Sequence, residues 1–319
     1  MNKVSVVMYH YVRDLKNGRY PEIKGLDYEL FVKQIQWMKQ HFHIIRMEEL
    51  TAAFDGTYEL PDNSMLLTFD DGYIDHFTNV TPLLADEGIQ GSFFISGKTF
   101  CENKLLDVNK IHFILACAGT EQLVADIKSE MNYYRGSEFD IPATDELYEK
   151  YAVANRWDNK DTIFAKRMLQ TVLPEKLRGI IASKLFAKYV DLPEEQFARE
   201  LYVNEKQLKA MKKLGMYIGV HGYDHYWLAN LSKEKMAEDI SKGLESLSGI
   251  VDSKYWVMNY PYGNYSDEVI DYISKNGCCL GLSVEAGLCD VSDGKMRYRV
   301  PRFDTNDYPP KSRNYENYK

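Results

Sequence analysis

Two acidic residues, Asp70 and Asp71, close the apolar run Met65-Leu66-Leu67-Thr68-Phe69 and are followed by Gly72. Far downstream, His221-Gly222-Tyr223-Asp224-His225 follows a second apolar run, Met216 to Val220. One carboxylate with two histidines is a ligand set for a divalent metal. The carboxylate left over is then a candidate general base. Together they point to metal-assisted hydrolysis. Each half also has a plainer reading. Asp-Asp-Gly makes a good strand-to-helix turn, because one Asp caps the helix that follows. A turn needs only one Asp, however, and two neighbouring carboxylates repel unless a cation intervenes. A spacing of four puts both histidines on one face of a helix, and a turn also converges them. Alone, such a pair reads more simply as packing at the end of a core strand.

The elements that must position these residues alternate in type. Val4–Tyr9 reads as a buried strand. Asp27 caps a helix with Phe31, Ile35, Met38 and Phe42 at helical spacing. His43–Arg46 is a short strand, Met47–Phe54 a helix, Met65–Phe69 a strand, Tyr73–Glu87 a helix stopped by Gly88, and Ser92–Ile95 a strand. After residue 204 the alternation resumes. Asn204 caps a helix to Leu214, Tyr217–Val220 is a strand, and Ser232 caps a helix. Tyr255–Tyr260, Asp267–Lys275 and Cys279–Ser283 read as strand, helix and strand. Such alternation predicts a parallel sheet or barrel. Between residues 101 and 203 it stops. Leu105–Cys117, Glu121–Tyr133, Thr144–Trp157, Thr162–Leu173 and Glu175–Tyr189 read instead as amphipathic helices. The reading is thus a barrel over 1–100 and 204–319 with an all-helical insertion over 101–203. The tail from Pro309 reads as an irregular wrap or a frayed end. In parallel βα architectures, active residues collect at the C-terminal ends of strands. His10, Asp70-Asp71, His221 with His225, and Pro261-Tyr262-Gly263 all fall there.

Bulk properties narrow the partners. The chain has 319 residues and a formal net charge of -8, which argues against nucleic acid. The five cysteines fit neither a zinc knuckle nor a disulfide framework, so reduced thiols and a cytoplasmic location are expected. Met1-Asn2-Lys3 runs straight into a strand-like segment, with no signal peptide pattern. No apolar run is long enough to span a membrane; a substrate at a membrane surface stays open.

Thr68-Phe69-Asp70-Asp71-Gly72-Tyr73 resembles the first motif of the polysaccharide deacetylases, the NodB-homology family of carbohydrate esterases. His221-Gly222-Tyr223-Asp224-His225 resembles the second, HxxxH, and Tyr260-Pro261-Tyr262-Gly263 the third. The three stand in the family's order, and the resemblance covers roughly residues 1–100 and 205–305. It implies a distorted (β/α) barrel of about seven parallel strands and a divalent metal, most simply Zn²⁺. It also implies Asp71, His221 and His225 as the ligands, Asp70 as general base, and the backbone N–H of Tyr262 as an oxyanion donor. The chain departs from the family in two places. No histidine follows His225, so the usual late acid is missing; His10 is the expected substitute. The arginine common in the third motif is also missing, and Arg302 is expected to pair with Asp70 in its place. Asp304 and Asp307 are competing partners for it. His76 is read as a possible rim residue.

The expectation is therefore a metal-dependent N-deacetylase acting on an N-acetylated amino sugar. The substrate would be a glycan or a nucleotide- or lipid-linked sugar intermediate in surface-polysaccharide metabolism. The alternatives are deformylation, O-deacetylation or cyclic-amide hydrolysis at the same site, or a metal- or sugar-binding homologue without turnover.

Overall fold

The computed structural model describes residues 2–155 and 158–318, which divide into two compact units. The first unit comprises Met1–Asp14, Gly25–Asn103 and Arg199–Lys319. Six of its strands, β1 (Lys3–Tyr9), β2 (Ser64–Phe69), β3 (Ser92–Ile95), β4 (Tyr217–Val220), β5 (Trp256–Asn259) and β6 (Cys278–Leu282), pair in parallel, in chain order. Cys289–Asp290 adds an antiparallel strand beyond β1, and the sheet curls into a half-barrel. The segment 300–304 bonds to both flanks of the parallel run. Val300 bridges to Leu282 of β6, and Phe303 and Asp304 pair with Val7 and Met8 of β1.

The alternation of side chains sorts each strand into two faces. Val7, Tyr9, Met65, Leu67, Phe69, Phe93, Ile95, Ile218, Val220, Trp256 and Met258 face the helices, meeting Phe31, Ile35, Met38, Leu84, Met236, Ile240 and Ile273. Val4, Val6, Leu66, Phe94, Val257, Leu280 and Leu282 form the inner core with Val300. Gly219 belongs to that inner row, and a Cβ there would come within 2.5 Å of the Phe94 ring. Following each inner row up the sheet leads from Leu66 through Thr68 to Asp70, from Gly219 to His221, and from Val257 to Asn259.

Several local readings need correction. The segment after Asp-Asp-Gly is not a regular helix from Tyr73: residues His76–Val80 form a π-helical turn ahead of Thr81–Asp86, while Tyr73 makes an antiparallel bridge to Tyr202. The tail is an irregular wrap that does not fray. Tyr308 and Tyr315 are buried, their rings stack at 4.5 Å, and both contact Trp37 and Phe42.

The second unit comprises Leu15–Lys24 and Lys104–Ala198. Residues 15–24, read from the sequence as barrel, belong with these helices. The helices include Asp107–Cys117, Thr120–Tyr134, Thr144–Tyr151, Lys160–Arg167 and Glu175–Tyr189. Thr144–Tyr151 is shorter than expected, and residues 156–157 of that reading lie outside the described residues. Thr120–Tyr134 buries Leu123, Ile127, Met131 and Tyr134, a single helical stripe. Phe113, Phe186 and Phe197 make the aromatic centre, with Tyr20 from the 15–24 segment packed edge-on against Phe113 at 5.0 Å. Buried Lys110 is matched by Glu194 at 2.8 Å and Asp107 at 3.1 Å. Among the described residues, no helix is long and apolar enough to cross a membrane.

Candidate active site

The site is assembled in the first unit from the ends of β1, β2, β4 and β5 and the segment 300–304. Asp70 continues the inner row of β2, and its N–H donates to the Tyr9 carbonyl of β1 at 2.9 Å. Its carboxylate receives a two-pronged donation from Arg302: Nη1 to Oδ1 at 2.8 Å and Nη2 to Oδ2 at 2.9 Å. Arg302 is only 1% exposed. It is held in turn by Nε donating to the Ser283 carbonyl at 2.6 Å and Nη1 to Thr68 Oγ1 at 3.1 Å. The partner of Arg302 is thus Asp70; Asp304 instead caps its own turn, accepting from Asn306. Burial alone would raise the Asp70 carboxyl. The Arg302 guanidinium, with His10, outweighs it and lowers the group to about 2.

Asp71 turns away from the strand alternation. Its φ of +73° is left-handed, and that of Gly72 is +68°. His225 (φ +58°) and Tyr262 (φ +57°) share this uncommon conformation. Three non-glycine residues of one site thus carry backbone strain, which persists only where the surrounding structure enforces it. The turn places Asp71 Oδ1 3.4 Å from His221 Nε2 and 3.3 Å from His225 Nε2. The second oxygen accepts from Tyr73 Oη at 2.5 Å, and the Tyr73 ring stacks on Tyr11 at 4.0 Å. His221 Nδ1 lies 2.6 Å from the Asn259 carbonyl, which fixes the tautomer with Nε2 bare and facing Asp71. The two histidines converge through a turn, not a helix, with ring centroids 4.8 Å apart.

This donor set passes a physical test for a cation. Three ligand atoms, one each from Asp71, His221 and His225, lie within 4.8 Å of one another, and all three residues are buried. Asp71 Oδ1 is buried without a hydrogen bond. A buried carboxylate oxygen in that state is costly unless a charge meets it. Burial would raise the Asp71 carboxyl, but the two imidazoles outweigh it and hold the group well below the usual range. Burial lowers His225; for His221 it is outweighed by Asp71 and Asp70, and the ring is raised. One anionic and two imidazole donors, three protein ligands in all, suit a divalent ion such as zinc.

His10 lies just past β1, with Nε2 3.9 Å from Asp70 Oδ2 and its side chain 38% exposed. The loop that carries it is tied down from the element after Gly72. His76 Nε2 donates to the His10 carbonyl at 2.9 Å, Asn79 Nδ2 to the Val12 carbonyl at 2.8 Å, and Arg13 forks onto Asp75 at 2.7 and 3.0 Å. His76 is therefore not a rim residue. It is fully buried, and burial pushes it down to about 4, so it stays neutral. Tyr262 stands beside the histidine pair: its ring is edge-on to His225 at 4.6 Å and stacked on Trp227 at 4.3 Å.

Sequence reasoning missed the supporting groups. Tyr73 stood in the first motif without a role. Asn259 holds His221 through its carbonyl, a contact that no residue type signals. Thr68, the first residue of the first motif, stands between Arg302 and the Val7 carbonyl, a role its place at the strand end does not signal.

A curled parallel sheet whose strand ends gather two carboxylates, two or three histidines and an arginine has the make-up of a hydrolase site. The polysaccharide deacetylase family model matches residues 57–130 and 184–280, more than half of the chain. The chain belongs to the polysaccharide deacetylase family. A relative named for the same family, YxkH of Bacillus subtilis (strain 168), is 22% identical over 156 residues, which is 49% of this chain and 46% of YxkH. The chain thus matches about half the length of that relative. The fold is shared with solved structures. The Streptococcus pyogenes deacetylase PplD in complex with acetate aligns with TM-score 0.57 and 16% identity, covering 98% of this chain and 96% of PplD. A de-N-acetylase from Aggregatibacter actinomycetemcomitans aligns with TM-score 0.59 and 15% identity over 98% and 99%. IcaB from Ammonifex degensii aligns with TM-score 0.55 and 17% identity over 96% and 94%.

Proposed function

We propose that this protein is a divalent-metal-dependent N-deacetylase acting on an N-acetylated amino sugar, presented as a glycan or as a sugar linked to a nucleotide or lipid. The observation that carries the reading is the division of labour between two adjacent carboxylates. Asp70 is engaged by Arg302, whereas Asp71 Oδ1 and two imidazoles converge without hydrogen bonds among them. Asp71, His221 and His225 would hold the ion, and zinc is the simplest choice. An ion held there supplies Lewis acidity, polarising an acyl carbonyl and acidifying water.

The remaining roles fall to the chain. Asp70, kept ionised by Arg302, accepts a proton from the attacking water. The water oxygen bonds to the acyl carbon, and the backbone N–H of Tyr262 donates to the oxyanion that forms. His10 returns a proton to the nitrogen as the C–N bond breaks. The products are acetate and a free amine. The half-exposed ring of His10 can exchange that proton with solvent, and its loop is clamped by His76, Asn79 and Asp75. The de-N-acetylase and acetate named for two structures of this fold agree with the reading.

The test is product analysis on N-acetyl, N-formyl and O-acetyl sugars at equal concentration. Acetate and amine should appear in equal amounts from the N-acetyl substrate. Turnover confined to N-formyl or O-acetyl substrates would assign a different hydrolysis to the site.

A further inference from the structure

The two histidines proposed as ligands are joined by Gly222-Tyr223-Asp224, a segment that is neither helix nor strand. Its shape must be imposed from outside, since Gly222 (φ +69°) and His225 (φ +58°) are both left-handed. The carbonyls are fixed by the turn after β3: Ser96 Oγ donates to His221 O at 3.0 Å, the Gly97 N–H to Gly222 O at 3.1 Å, and the Lys98 N–H to Tyr223 O at 3.1 Å. The N–H groups go elsewhere. Those of Tyr223 and Asp224 both donate to one side chain, Asp239, at 3.1 Å to Oδ2 and 2.8 Å to Oδ1.

Asp239 lies in the helix Lys233–Ser246, on the buried face with Met236, Ile240 and Gly243. Gly243 is four residues on, so it shares that face. A Cβ at Gly243 would come within 2.7 Å of the Gly222 backbone, and one at Gly222 within 2.7 Å of Asp239 Oδ2. The helix therefore rests directly on the histidine loop, and Asp239 takes up its two backbone donors. Two oxygens spent on consecutive N–H groups fix the orientation of both peptide planes, which a single bond would not do. Lys98, the neighbouring cation that acts on Asp239, has its Nζ paired with Asp224.

We propose that Asp239 is a positioning residue for the metal centre. Acting through the backbone of residues 222–224, it sets where the His221 and His225 Nε2 atoms fall relative to Asp71. The inference rests on the metal-site reading above, but its first effect is on the loop itself. Supporting contacts behind metal ligands typically carry about 10- to 100-fold in affinity.

The test compares Asp239→Asn with wild type and with Ile240→Ala, which disturbs the same helix face without touching the loop. The amide of Asp239→Asn keeps the shape but turns one acceptor into a donor facing an N–H. Metal-free protein is titrated with Co²⁺, followed by its visible absorption, and hydrogen exchange is read on the peptide spanning 221–225. Asp239→Asn should bind Co²⁺ about 10- to 100-fold more weakly, with a changed spectrum and faster exchange in that peptide. Ile240→Ala should melt earlier with Co²⁺ affinity and spectrum unchanged. Wild-type affinity and spectrum in Asp239→Asn would overturn the proposal, as would an equal loss in Ile240→Ala. If wild type takes up no Co²⁺, the metal reading fails. The exchange rates then decide alone, and unchanged exchange in Asp239→Asn overturns the positioning role.

Discussion

Replacing Arg302 by methionine removes the guanidinium while keeping much of its length and apolar bulk. In the folded protein the Asp70 carboxyl sits at about 2, below its ordinary value of 3.8. At roughly 1.4 kcal/mol per unit, that depression corresponds to about 2 kcal/mol of stability at neutral pH. The variant loses more than this. It leaves a buried carboxylate with burial opposed only by His10 and His221, and it strips a donor from the Ser283 carbonyl and from Thr68 Oγ1. Breaking a buried ion pair from one side costs about 3–5 kcal/mol. Urea denaturation at pH 7 should therefore place Arg302→Met about 3–5 kcal/mol below wild type. The pH dependence has a definite sign. Asp70 is depressed in the folded state, so its contribution is full above about pH 4 and is lost as pH falls toward 2. The gap between variant and wild type should narrow over that interval in metal-free protein. Arg302→Lys, with one ammonium in place of a fork, should fall between the two. Equal stability of wild type and Arg302→Met at both pH 7 and pH 3 would refute the reasoning, because the pair would then contribute nothing net.

His10→Ala should lower kcat for deacetylation by about 10²–10⁴-fold while leaving metal stoichiometry unchanged, as metal analysis of the purified variant would establish. Unchanged turnover removes His10 from the acid role. Tyr308→Ala, which empties a fully buried position where the tail packs on Trp37 and Phe42, should cost about 3–5 kcal/mol in urea denaturation. A loss below about 1 kcal/mol would mean that the tail is only loosely seated.

What the sequence made legible was local and periodic. The apolar runs at Val4–Tyr9, Met65–Phe69 and Tyr217–Val220 gave the strands to within a residue, because inner and outer faces of a covered parallel sheet are both apolar. Asn204 and Ser232 marked helix starts because each side chain caps its helix in the structure. The chemical residues stood out because they end those strands. The three-dimensional partners were not legible in the same way. Arg302 had three acidic candidates, and the choice follows from segment 300–304 lying between β6 and β1, which no spacing reveals. Asp239 and His76 act on backbone groups of distant loops, so their types look like ordinary helix polarity. The left-handed turns at Asp71 and His225 are uncommon outside glycine, even for residue types that tolerate them best, and are imposed by packing. For the tail, composition leaves a wrap and a frayed end equally open, and the wrap is decided by tyrosines that are core residues in a polar stretch.

The central claim is that Asp71, His221 and His225 hold a divalent ion that the reaction needs. The most direct measurement is acetate release from an N-acetylglucosamine oligomer by chelator-stripped protein, repeated after adding back Zn²⁺ or Co²⁺, for wild type and Asp71→Ala, with bound metal quantified in each sample. The account predicts one ion per wild-type chain, release abolished by stripping and restored by metal, and neither ion nor release in Asp71→Ala. Undiminished release from the stripped protein, or stoichiometric metal retained by Asp71→Ala, would contradict it.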